Sequence, residues 1–146
     1  MERALELARQ AAEQGEVPVG AVVVRQQELL GQGSNRREAL KSPLGHAEIQ
    51  ALEQAGQSVG DWRLGGATLY VTLEPCPMCA GAILQARLER VVFAAVSPDQ
   101  GAAGTRLNLL DYPGLRDRCQ VTAGLLAEQA STLIQDFFLR KRNNLK

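Results

Sequence analysis

The tightest constraint on this chain is a histidine and a cysteine pair set at the starts of two helices that flank one strand. His46-Ala47-Glu48 opens a helix predicted to reach about Ala55, and Pro75-Cys76-Pro77-Met78-Cys79 opens another predicted over Pro77 to Leu88. Between them Ala67 to Thr72 reads as a compact strand. In an α/β sheet, a strand that follows a helix runs back to the edge where that helix began. The next helix then starts from the same edge. His46 and the two cysteines are therefore expected together, outside the carboxyl ends of the strands, where open sheets place their sites.

The cysteine spacing has its own physical logic. Pro77 suits the first helical position, where its missing N–H costs nothing, so Cys76 becomes the cap and Cys79 lies one turn on. A helix N-terminus favours negative charge, which lowers thiol pKa and supplies the thiolates a metal needs. Two thiolates and one neutral imidazole cancel the charge of Zn²⁺. Three protein ligands leave the fourth tetrahedral position for water, as in catalytic rather than structural zinc. Glu48 is the candidate proton carrier beside such a metal. Residues two apart on a regular helix point to nearly opposite sides, so His46 and Glu48 share a site only if His46 stands at an irregular first turn. Glu74 is the other acid in this stretch; it precedes Pro75, which favours extended backbone, and is read as structural.

Each element has a plainer alternative. A lone C-x-x-C pair also fits a thioredoxin-like redox motif, but that leaves His46, the only histidine, and Glu48 without a role. A closed structural zinc would need a fourth ligand, and Cys119 is the remaining cysteine. It sits on a late strand beside Arg118 and Gln120 and is read as inert. Three cysteines, an odd number, suit a reducing compartment better than a disulfide framework.

The rest of the chain reads as one domain over residues 1–146, with no repeat, linker or low-complexity tract. Ala4, Leu7, Ala8, Ala11 and Ala12 predict a first helix stopped near Gly15. Val17 to Val24 and Glu28 to Gly33 predict paired strands across a turn at Gln26-Gln27. Asn35 to Leu44, with Pro43, is expected as loop, as is Ser97 to Asp111. Arg90 to Ala95 and Cys119 to Thr122 predict two further strands. In the last helix Leu126, Ala130, Leu133, Ile134, Phe137 and Phe138 form an apolar stripe read as core. Strands alternating with helices imply a layered α/β domain around one sheet.

Sixteen basic and sixteen acidic residues leave no basic excess. Any nucleic-acid contact must therefore come from local patches. Arg140, Lys141, Arg142 and Lys146 follow the last acidic residue, Asp136. They fit either a solvated helix end or a phosphate contact. No apolar run approaches the roughly 20 residues of a membrane span, and the start at Met1-Glu2-Arg3-Ala4 does not resemble a secretory signal. A cytoplasmic protein is expected.

Beyond the zinc motif, several blocks together resemble one family over nearly the whole chain. They are Glu16 to Val22, Asn35-Arg36, His46 to Ile49, Ala67 to Ala82, Arg90 to Phe93, Gly101 to Gly104, and Asp136-Phe137-Phe138. This pattern resembles the tRNA-specific adenosine deaminases of the cytidine deaminase-like superfamily. The resemblance implies a three-layer α/β/α fold with a mixed five-stranded sheet, a homodimer and one Zn²⁺ per chain held by His46, Cys76 and Cys79. It implies hydrolytic conversion of adenosine to inosine at the wobble position of an arginine tRNA, with Glu48 as the catalytic acid–base. The tRNA anticodon stem-loop is the implied partner. Asn35 is expected to hydrogen-bond the flipped adenine. Val17, Pro18, Val19 and Ala47 are expected to line its pocket, and Arg140 to meet RNA. After Phe93 the family carries an acidic stretch ending in Lys; this chain has Ala94 to Gln100, so Ser97 replaces the aspartate and Asp99 the basic residue. That departure bears on which RNA is edited. Two other readings stay open: a zinc deaminase of a free base or nucleoside (guanine, cytosine or cytidine), and a non-catalytic zinc-stabilised RNA-binding module.

Overall fold

A computed structural model describes residues 1–145; Lys146, at the end of the basic tail, lies outside the described residues. The chain runs α1 (Glu2–Glu13), β1 (Gly20–Arg25), β2 (Glu28–Ser34), α2 (Arg37–Leu40), α3 (Ala47–Val59), β3 (Thr68–Leu73), α4 (Pro77–Gln85), β4 (Arg90–Ala95), β5 (Gln120–Ala123) and α5 (Ala127–Asn144). The strands form one sheet in the order β2-β1-β3-β4-β5. β1 is antiparallel to both β2 and β3, whereas β3, β4 and β5 run parallel. The expected mixed five-stranded sheet is therefore present.

Alternate residues of the strands face opposite layers. Ala21, Val23, Leu69, Val71, Val91 and Phe93 meet Ala47, Ala51, Ala55, Ala80 and Ile83 of α3 and α4. On the other face Ala94 meets Leu5 of α1 and Ala130 of α5, and Ala95, where β4 ends, joins that cluster. The first layer is the larger and holds Leu64, Leu69 and Ile83 fully buried. Truncating any of these to Ala costs about 2–5 kcal/mol. The small residues of α3 let it lie close on β2. At Gly31 an added Cβ would stand 2.5 Å from the Ala55 nitrogen, so only glycine fits there.

Several boundaries differ from the sequence reading. The first strand starts at Gly20, not Val17. Pro18 has no N–H for a ladder, and the Val19 N–H donates locally to the Val17 carbonyl. The stretch expected as loop contains α2, because the buried Glu16 carboxylate accepts the N–H groups of Glu38 and Ala39. α3 runs on to Val59 and stops at Gly60, whose φ is +73°. α4 ends at Gln85, short of Leu88, where Arg87 turns the chain with φ +61°. The loop after β4 carries a short 3-10 turn at Leu109–Asp111, and β5 begins at Gln120, just after Cys119.

The α5 stripe is not uniformly core. Ala130, Leu133 and Leu126 pack on the smaller apolar cluster, but Ile134 and Phe138 face an open pocket. Phe138 is 44% exposed. α5 rests one flank on this face of the sheet and leaves the other to the pocket and solvent. Among the described residues no helix is long and apolar enough to cross a membrane.

Candidate active site

Both metal-ligand candidates that begin helices are caps, not helical residues. His46 is the N-cap of α3, with φ −82° and ψ 149°. Cys76 is the N-cap of α4, with φ −76° and ψ 173°, and Pro77 follows at the first helical position. The extended backbone at His46 frees its ring from helical geometry, so His46 and Glu48 turn to one side despite their spacing. The parallel crossover from β3 through α4 to β4 brings both helix starts to one sheet edge.

There His46 Nδ1 lies 3.6 Å from Cys76 Sγ and 3.4 Å from Cys79 Sγ. The three candidate ligand atoms all fall within 4.8 Å of one another. Zinc bonds of roughly 2.3 Å to sulfur and 2.0–2.1 Å to nitrogen at a tetrahedral angle separate N and S by about 3.6 Å. The two observed N–S distances match, so the donor set fits that ion.

The electrostatics point the same way. The hydrogen bond from Cys79, with that to His46, draws the Cys76 thiol down to about 4. Cys79, sharing a proton with Cys76 and buried beside Glu48, is pushed well above the usual thiol range. Its bond to Cys76 raises His46. Two adjacent thiols ionise together only if a cation relieves their repulsion. Burial lifts the Glu48 carboxyl to about 7, and its side chain reaches the Cys79 thiol. Glu48 is 4% exposed. Cys119 stands apart: it packs in the main apolar core, burial raises its thiol to about 11, and its sulfur hydrogen-bonds to the Gln120 carbonyl at 3.6 Å.

His46, Glu48 and Cys76 line a pocket of about 600 Å³. Val17, Val19, Asn35 and Ala47 border it, whereas Pro18 is fully buried and does not. Arg140 is elsewhere, in a groove between α1 and α5 with Arg9, Phe137 and Lys141. The Asn35 side-chain Oδ1 accepts the Arg37 N–H at 3.2 Å, which leaves its amide N–H groups to a ligand. Sequence reading missed Arg37 on α2 and the Ser131, Ile134, Gln135 and Phe138 face of α5. The latter has helical spacing, but periodicity alone does not say which side of an apolar stripe meets a cavity.

Three converging donors, a buried carboxylate beside them and a nucleoside-sized pocket suit metal-assisted hydrolysis of a small planar group. The MafB19-like deaminase family model matches residues 1–142. A tRNA-specific adenosine deaminase of Bacillus subtilis (strain 168) is 43% identical over 146 residues, all of this chain and 91% of that protein. Among solved structures, one from work on A-to-I editing by tRNA:A34 deaminases at the wobble position superposes with a TM-score of 0.88. It is 39% identical and covers 91% of this chain and 96% of its own. A guanine deaminase from Nitrosomonas europaea is more distant, at TM-score 0.80 and 27% identity, covering 93% of this chain and 81% of its own. With a full-length match at this identity laid over the geometry above, the chain belongs to the tRNA-specific adenosine deaminases, within the MafB19-like deaminase family.

Proposed function

We propose that this protein hydrolytically deaminates adenosine to inosine at the wobble position of a tRNA, an arginine tRNA by family pattern, as a cytoplasmic homodimer of one-domain chains. The observation that carries the reading is the buried Glu48 carboxylate beside the His46-Cys76-Cys79 cluster on the pocket wall. His46, Cys76 and Cys79 would hold one Zn²⁺, which would supply Lewis acidity toward water at neutral pH.

The protein's own groups do the rest. Asn35 donates its free amide N–H to the flipped adenine, and Val17, Val19 and Ala47 bound the ring, with Pro18 backing them. Glu48 takes the proton released by the attacking water and returns it to the ring nitrogen beside the attacked carbon. The proton left on the added oxygen then passes through Glu48 to the departing amine. The exocyclic C–N bond breaks, ammonia leaves, and the water oxygen remains as the carbonyl of inosine.

The test is incubation of the protein with an anticodon stem-loop carrying adenosine at the wobble position, beside guanine, cytosine and cytidine. Inosine in the stem-loop is the expected product. Turnover of a free base or nucleoside with none of the RNA overturns the reading in favour of a small-molecule deaminase; no turnover with zinc bound favours a binding module.

The basic end of α5 gives a further prediction. Arg140 and Lys141 line the groove against α1, and their charge suits phosphates of the anticodon stem. Replacing Arg140, Lys141 and Arg142 with Ala should raise the KM for tRNA and flatten its dependence on salt. Each phosphate no longer neutralised should reduce the log–log salt slope by about one. Zinc content should not change. An unchanged KM and slope would leave these residues a solvated helix end.

A further inference from the structure

Glu74 is a buried carboxylate, 2% exposed, with no ion-pair partner among the described residues. It sits between the end of β3 and the candidate ligand Cys76. Its two oxygens are taken up by the loop that follows β4. Oε1 accepts the Ser97 N–H at 3.2 Å and the Thr105 hydroxyl. Oε2 accepts the N–H groups of Ala103 and Thr105, each at 3.1 Å. Three amides and a hydroxyl thus stabilise the charge in place of a cation. The neighbouring backbone adds two more ties, from the Ala102 N–H to the Pro75 carbonyl and from the Glu74 N–H to the Ala95 carbonyl, both at 2.8 Å.

Much of the loop's remaining hydrogen bonding is internal. Gly101 donates to Ser97, Arg106 to Gly101, and Gly104 to Leu107. The carboxylate is thus its principal side-chain anchor to the sheet edge. The packing is close: a Cβ at Gly101 would stand 2.5 Å from the carboxyl carbon and from both oxygens of Glu74. The segment so held, Ser97 to Gln100, lines the same pocket as Asn35 and Glu48.

We propose that Glu74 is a positioning residue that sets substrate recognition: it fixes the Ser97–Gln100 wall of the pocket relative to Cys76 and takes no part in proton transfer. The substrate named here rests on the deaminase reading above, but the wall borders the pocket whichever base enters it. With its oxygens engaged by four donors, Glu74 has no free position from which to accept a proton from water. Its role is to keep the wall where an incoming nucleotide meets it.

The experiment compares Glu74→Gln, Gly101→Ala and the double variant, in the zinc-loaded full-length protein, on the anticodon stem-loop. Each single variant should raise KM about tenfold or more, with kcat within about threefold of the parent and zinc content unchanged. Both disturb the same anchor, so the double variant should raise KM little beyond the worse single one. A fall in kcat at unchanged KM would put Glu74 in the chemistry. Loss of zinc in both single variants, or independent multiplication of the two KM effects, would make it a structural residue and overturn the proposal. If the parent makes no inosine, the functional reading fails separately. The same KM-against-kcat comparison is then made on whichever base the parent does deaminate.

Discussion

Glu48→Gln should keep zinc and RNA binding near the parent's values and yet make almost no inosine. The side chain is buried on the pocket wall, its carboxyl lifted to about 7 by desolvation, beside the metal-ligand cluster. Gln preserves size and most of the hydrogen bonding but can neither accept nor return a proton. A general acid–base group typically contributes about 10²–10⁴-fold. One used for successive transfers belongs at the upper end, so single-turnover rates on the anticodon stem-loop should drop by about 10⁴-fold. Binding of the stem-loop, measured by fluorescence anisotropy, should change less than about threefold. Turnover within about tenfold of the parent would remove Glu48 from the mechanism. Glu74 could not replace it, since both its oxygens are held by Ser97, Ala103 and Thr105.

Metal loss is the second large effect. About one zinc per chain is expected by elemental analysis, and Cys119→Ser should retain it. The Cys119 thiol is neutral and lies outside the three-donor cluster. Cys76→Ser, Cys79→Ser or His46→Ala should each lose the metal and the activity together. Ligand binding stabilises the folded state by about 4 kcal/mol when free metal is about a thousandfold above Kd. For a chain of this size chelation should therefore lower Tm by about 10 °C or more. The two thiols then crowd one another without a cation, which adds to the loss. Zinc lost in Cys119→Ser would mean a closed four-ligand centre with no position for water, and would end the catalytic reading.

The rest of the site depends on these two effects in different ways. The basic end of α5 and the wall held by Glu74 are expected to act on KM, whereas Glu48 and the candidate metal ligands are expected to act on the chemical step. A variant series that separates kcat from KM therefore sorts the residues by role.

What the sequence by itself determined is whatever is written in local pattern. Helix starts, cap residues and the helix–strand–helix order around Ala67 to Thr72 are short-range features, and they were enough to bring His46, Cys76 and Cys79 to one sheet edge. The same local logic stated the condition on His46, which the extended N-cap backbone meets. The tertiary structure alone decided the pocket's rims. Glu16 caps α2 across 22 and 23 residues of chain, turning an apparent loop into the helix that carries Arg37. Glu74 holds the facing segment across 23, 29 and 31 residues. α5 splits its apolar stripe between α1 and the open pocket and turns Arg140 into a separate groove. A buried carboxylate takes its partners from whatever backbone amides the fold brings within about 3 Å. Those amides belong to distant segments, so no periodicity around Glu16, Glu74 or Arg140 could announce them.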